Sequence, residues 1–196
     1  MKLFAFTDIH ASMSSFRKIE EKLKKQNADL VVCTGDFTIF EQNIKDILEK
    51  ISKLGEKILI LHGNHETEEI LEKMCTYFKN ITFIHNKILE IKGFTFIGHG
   101  GGGFSDVYED FDNFVKKNKQ NIKENIVLLT HAPPYNTKLD MILKDHNGSV
   151  SYANFIKNND VILSISGHFH EGFHKHDKLN IARLINPGPD GELIDL

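Results

Sequence analysis

Residues 57–66, KILILHGNHE, join an apolar run to a turn that is followed at once by a histidine and a glutamate. The run has the composition of a buried β-strand, and Gly63-Asn64 is a common turn pair. A turn by itself requires neither His65 nor Glu66. Because the same order of strand, turn and polar side chain recurs along the chain, the stretch indicates that the ends of strands carry the function.

Four further apolar runs are followed by polar residues in the same way. The residues that come after the five predicted strands are Asp8, His10, Asp36, Asn64, His65, His131, His168 and His170. Segments with helical spacing lie between most of these strands, and this alternation favours an α/β domain. In an open α/β sheet, ligands bind beyond the carboxyl ends of the strands, so we expect these side chains to share one cleft.

Three short apolar runs in the middle of the chain interrupt the alternation. They are ITFIH (81–85), KILEI (87–91) and FTFIG (94–98), and a turn at Lys92-Gly93 joins the last two. We interpret them as a meander inserted into the α/β pattern. The 196 residues contain no evident linker or internal repeat, which predicts a single domain over residues 1–196.

Composition excludes several classes of protein. The chain is 40% hydrophobic and 26% charged, with a net charge of −3, and no apolar stretch reaches the length of a membrane span. Asp8 and His10 interrupt the apolar start, so we expect neither a secretory signal nor a membrane partner. The lysine runs are typical of solvated helix faces and give no strong nucleic-acid signature. Because Cys33 and Cys75 have no metal or redox spacing, we expect a cytoplasmic protein with two thiols, and the oligomeric state stays open.

The polar residues at the strand ends have the chemistry of metal ligands. Eleven histidines are more than a chain of this length leads one to expect. Imidazole and carboxylate without thiolate favour a pair of divalent ions, namely Mn, Fe, Zn, Co or Ni. Ligands two residues apart, as in Asp8/His10 and His168/His170, can serve one ion or be divided between two. The glycines ahead of ligands, Gly35, Gly63 and Gly167, would let the backbone turn sharply and approach the ions.

Five motifs in a fixed order then carry a resemblance. DIH (8–10), GDF (35–37), GNHE (63–66), THAPP (130–134) and GHFH (167–170) together resemble the calcineurin-like metallophosphoesterase superfamily. The resemblance implies an α/β fold (α+β in some schemes), a four-layer, two-sheet β-sandwich flanked by helices, with the meander at the switch between sheets. It also implies the roles of the strand-end residues: Asp8, His10 and His170 bind a first metal, Asn64, His131 and His168 bind a second, and Asp36 bridges the two.

The resemblance further implies a reaction. A binuclear enzyme of this kind hydrolyses phosphodiester bonds, or phosphomonoester bonds, of a small substrate by attack of a metal-bridging hydroxide. Asp36 is then catalytic as the bridge, manganese is the expected ion in vitro, and His65 assists at the phosphate or leaving group without binding metal. Two divalent ions are balanced by two aspartates, one hydroxide and one diester anion. The protein-phosphatase branch carries GDxVDRG, whereas residues 35–41 here are GDFTIFE, so we do not expect protein-phosphatase specificity.

Several alternatives stay open. The chain could be a non-catalytic metal-binding scaffold of the same fold, or a metal-dependent nuclease, and the strand-end residues could serve only as caps and turns. We interpret Glu66 as the start of the next helix in preference to a support for the metal site. His99 with Gly100–Gly103 is either a set of backbone N–H groups facing a phosphate or, as we prefer, a loop at the rim of the site. His62 and His85 have no motif context and are interpreted as core or surface histidines.

Overall fold

The computed structural model describes residues 1–103 and 105–196. Phe104, within the glycine-rich stretch that we predict as a loop, lies outside the described residues. The five helices of the described chain are α1 (Met13–Lys25), α2 (Ile44–Ser52), α3 (Glu68–Cys75), α4 (Glu109–Lys117) and α5 (Val150–Asn158). Short 3₁₀ turns cover Lys119–Asn121 and His170–Gly172.

Strands β1 (Lys2–Phe6), β2 (Leu30–Cys33), β3 (Ile58–Ile60), β4 (Ile81–Phe83) and β13 (Glu192–Asp195) form the first sheet, in the order β13-β1-β2-β3-β4. The pairs from β1 to β4 are parallel, and β13 is antiparallel to β1. Helices α1, α2 and α3 connect the parallel strands in sequence. This half of the chain therefore has the alternation that its sequence predicts.

The second sheet has the order β11-β12-β10-β7-β6-β5. Its strands are β5 (Lys87–Ile91), β6 (Phe94–His99), β7 (Ile126–Thr130), β10 (Val161–Ile165), β11 (His176–Leu179) and β12 (Ala182–Ile185), and β8 (Met141–Ile142) pairs with β9 (Asp145–His146) in a separate hairpin. Hairpin β5–β6 is antiparallel, while β6, β7, β10 and β12 run parallel to one another. The chain leaves the first sheet after β4 and enters the second at β5, so the predicted meander does mark the switch between sheets.

Three apolar cores hold the layers together. Phe4, Val31 and Ile60 face α1–α3 on the outside of the first sheet, while alternate residues such as Ala5, Val32 and Leu59 face the second sheet. The outer face of the second sheet packs on α4 and α5 through a third core that includes Leu128, Tyr152 and Phe155. Strands buried on both faces require continuous apolar runs, and this is why β1, β2, β3 and β7 contain them. The predicted four-layer sandwich is confirmed.

The sequence prediction missed the short elements. Hairpin β8–β9 has two residues in each strand, and edge strand β11 alternates exposed and half-buried positions. Neither has an apolar run that would indicate a strand. Among the described residues, no helix has both the length and the apolar character needed to cross a bilayer.

Candidate metal centre

The loops that follow β1, β2, β3, β7 and β10 converge at the carboxyl ends of these strands. They bring together ligand atoms of Asp8, His10 and His170 in one group, and those of Asp36, His131 and His168 in another, each group within 4.8 Å. Asp36 also lies within this distance of ring nitrogens of His10 and His65. The sequence-predicted side chains therefore share one cleft, with Asp36 between the two groups.

The separations between donor atoms are those of ligands around a common ion. His10 Nε2 lies 3.3 Å from His170 Nε2, and Asn64 Oδ1 lies 3.0 Å from His168 Nδ1 and 3.2 Å from His131 Nε2. Atoms held about 2.0–2.2 Å from one ion lie roughly 3.0–3.5 Å from each other. The donor set, neutral nitrogen and carboxylate oxygen without thiolate, suits divalent transition metals. The residues present therefore fit the ions that the motifs imply.

Asp36 and His131 form a buried pair at the centre of the cleft. His131 Nε2 lies 3.4 Å from Asp36 Oδ2, and both side chains are almost completely buried. Burial alone would lower the pKa of His131, but its hydrogen bond with Asp36 and the charges of Asp36 and Asp8 raise that pKa to about 9. Against the same burial, His131 and the backbone N–H of His65 hold the pKa of Asp36 well below its usual value. A field that favours a positive charge at this point also favours a cation.

A hydrogen bond at Nδ1, on the other side of the ring from Asp36, sets the tautomer of His131. Its Nδ1 lies 2.8 Å from the carbonyl oxygen of Thr34, so Nδ1–H donates to that carbonyl. In the neutral ring, the form that binds metal, the lone pair of Nε2 then faces Asp36 and Asn64. Metal-binding histidines commonly donate their second N–H to a carbonyl or carboxylate in this way. The arrangement of His131 is that of a ligand.

Burial also shifts the pKa values of other candidate ligands. Burial raises the pKa of Asp8, although His131 and the hydroxyl of Thr7 lower it. Burial and the charge of His131 lower the pKa of His168 to about 4, and its backbone N–H donates to Asp8. Burial also lowers the pKa of His10, against the opposing charges of Asp36 and Asp8. The imidazoles of His10 and His168 thus favour the neutral form, which is the form that binds metal.

The backbone beneath the ligands is strained. Asp8, His10, Asp36 and His168 have positive φ angles of 50°, 42°, 51° and 70°, which residues with side chains adopt rarely and at a cost of about 1–3 kcal/mol each. Two glycines make these turns compact. A Cβ on Gly63 would lie 2.1 Å from Asp36 Oδ1, and one on Gly167 would lie 2.3 Å from Asp8 Oδ2. These glycines let one loop pass directly over the carboxylate of another.

His65 lies beside the cleft, against two aromatic rings. Its ring is parallel to that of Phe40, with centroids 4.3 Å apart and an angle of 23°, and it meets the ring of His10 edge-on at 4.7 Å. The backbone N–H of Phe40 donates a long hydrogen bond of 3.4 Å to His65 Nδ1. A neutral ring that accepts at Nδ1 carries its proton on Nε2. His65 is therefore held as a donor through Nε2.

Glu66 corrects the sequence interpretation. Helix α3 begins at Glu68, after Thr67, so Glu66 does not start the helix. Its buried carboxylate accepts hydrogen bonds from the backbone N–H groups of Asp36, Thr38 and Gly63 and from the Thr38 hydroxyl, at 2.6–3.1 Å. It thereby ties the loop after β2 to the loop after β3. The sequence offers no signal for this role, because the three donor residues lie 3 to 30 positions away.

A second group of histidines lies outside the two ligand groups, and we call His62, His85 and His99 the inner histidine cluster. The rings are in contact one after another: His62 meets His85 edge-on with centroids 4.7 Å apart, and His85 is tilted against His99 with centroids 4.9 Å apart. Burial lowers the pKa of His62 to about 3 and that of His85 to about 4, and it also lowers the pKa of His99. The three imidazoles are therefore neutral core residues near pH 7. His62 and His85 are core histidines, one of the two interpretations open from the sequence.

Atoms of His85, His99 and Asp110 also lie within 4.8 Å of one another. The backbone N–H of Gly100 donates to His85 Nδ1 at 2.9 Å, so the neutral ring carries its proton on Nε2, which faces the side-chain amide of Asn86 at 2.8 Å, and it offers no lone pair to an ion. His99 contacts the Tyr152 hydroxyl through Nδ1 and Asp110 through Nε2, at 2.6 and 2.8 Å. Hydrogen bonding thus occupies the nitrogens of both rings.

The structure places His99 and part of the glycine-rich loop inside the protein. His99 is the last residue of β6 and is buried, so it is not part of a rim. The N–H groups of Gly100, Gly101 and Gly103 donate to His85, the His62 carbonyl and the Tyr108 hydroxyl, respectively. These three donors are used inside the protein and do not face a phosphate.

Comparison with known proteins agrees with this geometry. A family model described as calcineurin-like phosphoesterase matches residues 1–172. An uncharacterized protein of Methanocaldococcus jannaschii is 31% identical, over 96% of this chain and 88% of that protein. The crystal structure of TT1561 of Thermus thermophilus is similar with a TM-score of 0.78 and 15% identity, covering 96% of this chain and 90% of the other. A dimetal phosphatase from Danio rerio has a TM-score of 0.65 at 11% identity, covering 94% and 86%.

The two solved structures are similar in fold alone at these identities, whereas the family model covers most of the chain, including every motif from DIH to GHFH. The family is one of phosphoesterases, which are hydrolases, and the described residues include aspartate and histidine groups with the spacing to hold divalent ions. The chain is a member of the calcineurin-like phosphoesterase family.

Proposed function

We propose that the protein is a binuclear metal-dependent phosphodiesterase acting on a small phosphate ester. One observation carries the proposal. Donor atoms from five separate loops form two groups with Asp36 between them, and donor pairs in these groups lie 3.0–3.3 Å apart, the spacing of two ligands on one ion. In this proposal Asp8, His10 and His170 would hold one ion, Asn64, His131 and His168 would hold the other, and Asp36 would contribute to both. The fold of a dimetal phosphatase is in keeping with a two-ion site.

Bound divalent ions would supply Lewis acidity, which lowers the pKa of water and polarises phosphoryl oxygens. The chain itself supplies position and proton transfer. Asp36, fixed by the His65 backbone N–H at 2.8 Å, holds the two ligand groups in one geometry. His65, with its proton on Nε2, donates to the oxygen of the leaving group or to an equatorial phosphate oxygen, a role typically worth about 10²–10⁴-fold in rate.

The charge of the cleft favours a diester over a monoester. Asp8 and Asp36 leave two of four positive charges for the nucleophile and the substrate. A diester brings one negative charge, whereas a monoester brings up to two. The loop beside His65 reads Ile39-Phe40-Glu41 and offers no cation to a second phosphate charge.

The two buried cysteines, Cys33 and Cys75, are free thiols, in keeping with a cytoplasmic setting.

The test combines elemental analysis with an ester panel. The protein would be purified, stripped of metal, reloaded singly with Mn, Fe, Zn, Co or Ni, and assayed with bis-aryl phosphodiesters and aryl phosphomonoesters. We expect two ions per chain, turnover of the diesters, and the highest activity with manganese. His176→Ala is the matched control, because it removes an exposed histidine of β11 that pairs with Glu192, outside the site.

The outcomes separate the rival functions. Two bound ions without turnover of any ester would favour a non-catalytic scaffold and contradict the proposal. Cleavage of labelled single-stranded DNA with no turnover of small diesters would favour a nuclease. Faster turnover of monoesters than of diesters would overturn the diester assignment while leaving the metal centre in place.

A further inference from the structure

Phe40 is a large apolar side chain left open to solvent next to the cleft. It is 69% exposed, although it belongs to the loop between β2 and α2 that also carries Asp36. One face of its ring covers His65 in a parallel stack at 4.3 Å. Leaving so much apolar surface in water forgoes the free energy that its burial would provide. The exposed part of the ring is thus the unused side of a stack whose other member is His65.

The loop holds Phe40 in place at a cost. Phe40, Glu41 and Asn43 have positive φ angles of 47°, 63° and 54°, and strained backbone of this kind persists only where the surroundings enforce it. The Glu41 N–H donates to the Thr38 hydroxyl at 3.1 Å, and the Glu41 carboxylate accepts from the N–H and hydroxyl of Thr67, both at 2.7 Å. These bonds fix the Phe40 loop internally and tie it to the segment that carries His65.

We propose that Phe40 is a stacking platform for a planar aromatic group carried on the leaving-group side of the substrate. This proposal rests on the proposed function, since it places the aromatic group next to the oxygen that His65 serves. The substrate class is then a phosphodiester with an aryl group or a nucleobase in its leaving group. The parallel rings of His65 and Phe40 form a flat stack that a third planar ring extends, and aromatic rings favour such offset contacts.

The side chains of the Phe40 loop favour a neutral planar group in preference to a second phosphate. Ile39 is apolar and exposed, and Glu41 is anionic, so neither attracts additional negative charge. Stacking of one base on one aromatic side chain is worth roughly 5- to 150-fold in affinity, and the contact tolerates different rings because every base has a π-face. Phe40 would therefore select for planarity rather than for one particular base.

The experiment compares two non-hydrolysable ligands that differ only in a ring. Phenylphosphonate and methylphosphonate would be titrated by calorimetry into manganese-loaded wild-type, Phe40→Ala, Phe40→Leu and Phe40→Tyr proteins. We expect wild type to prefer phenylphosphonate by about tenfold. Phe40→Tyr should keep the preference, whereas Phe40→Ala and Phe40→Leu should reduce it to about twofold or less with methylphosphonate affinity unchanged.

Fluorescence gives a second readout, because the chain contains no tryptophan. The emission of the Phe40→Trp protein should change on adding phenylphosphonate and not on adding methylphosphonate. Tyr77→Trp is the matched control. Tyr77 is exposed between α3 and β4, at the amino ends of the parallel strands, whereas the candidate site lies at their carboxyl ends. Its emission should respond to neither ligand.

Three results would overturn the platform. Equal affinity of wild type for the two phosphonates would do so, even if diesters are hydrolysed, and the proposed function would then survive alone. Equal weakening of both ligands in Phe40→Ala would assign Phe40 only to positioning His65. Absence of phosphonate binding together with absence of ester hydrolysis would remove both proposals at once.

Discussion

The candidate metal centre and the inner histidine cluster place the same kind of side chain in opposite surroundings. At the metal centre, His131 and His10 face the buried carboxylates Asp8 and Asp36, which are each only 3% exposed. In the inner cluster, the carboxylates that contact the rings are those of Asp110 and Glu68, whose side chains are 60% and 57% exposed and well solvated. Histidine content alone therefore does not make a site. What decides it is whether lone pairs of the rings converge with buried negative charge or are used up in hydrogen bonds.

The greatest loss should come from removing the charge at the centre of the metal site. Asp36→Asn should lower metal content from two ions toward one or none and reduce diester turnover to the background of the metal-free protein. A site that loses Lewis acidity loses several kcal/mol of transition-state stabilisation, and each 1.36 kcal/mol is tenfold in rate. Elemental analysis and kinetics check it. Full metal content with normal turnover would mean that the buried carboxylate of Asp36 does not distinguish the candidate metal centre from the inner histidine cluster.

Removing His65 should separate chemistry from metal binding. His65→Ala should lower kcat by roughly 10²- to 10⁴-fold, because it removes a proton donor that does not hold an ion in the proposed site. Metal content should stay at the wild-type level. Loss of metal in this variant would mean that His65 is itself a ligand and belongs with His10 and Asp36.

Glu66 connects two of the ligand loops, so its replacement should act at a distance. Glu66→Gln turns an acceptor of four hydrogen bonds into a group with one amide that clashes with backbone donors. We expect a loss of about 10- to 100-fold in metal affinity, measured by competition with a chelator. Glu69→Gln on the exposed side of α3 is the control and should bind metal as wild type does.

The inner cluster should show itself in acid rather than in catalysis. The pKa of His85 is about 4 in the folded protein and about 6.5 in the unfolded chain, so the unfolded chain binds a proton first as the pH falls. The free energy of unfolding should therefore decrease between about pH 6.5 and pH 4, by at most about 1.4 kcal/mol per pH unit for each such imidazole. Urea unfolding in chelator should give a shallower pH dependence for His85→Asn, which keeps an acceptor for the Gly100 N–H. An unchanged slope would mean that His85 is not buried neutral.

The last substitution should have no effect on metal binding at all. Asp110→Asn should leave the metal content at two ions per chain, because the nitrogens of His85 and His99 already take part in hydrogen bonds. Elemental analysis of this variant beside wild type checks the inner cluster directly. A third ion in wild type that disappears in the variant would erase the distinction between the two groups of histidines.

The sequence predicts which candidate ligands come together better than it predicts their surroundings, for a physical reason. Each candidate ligand follows a strand whose apolar run is visible by itself, and parallel strands place their carboxyl ends together. Asp8, Asp36 and Asn64 can therefore be located from local patterns. The sandwich of two sheets came from the motif resemblance, since alternation alone does not reveal how a second sheet packs on the first.

The parts that the sequence does not reveal depend on contacts between distant segments. His62, His85 and His99 become neighbours only because the chain changes sheets between β4 and β5. Glu66 finds its donors in the loop after β2, and Phe40 meets His65 across 25 positions. The spacing of apolar residues along the sequence does not predict such contacts.

The left-handed backbone under Asp8, His10, Asp36 and His168 matters for protein design. If only the seven side chains were transferred to another sheet, their donor atoms would point in the wrong directions, because the backbone at an ordinary strand end does not adopt positive φ angles. The unit to transfer is the set of loops, because Gly63 and Gly167 in two of them let each loop pass close over the carboxylate of another. Grafts of whole strand-to-helix connections should therefore succeed where point substitutions fail.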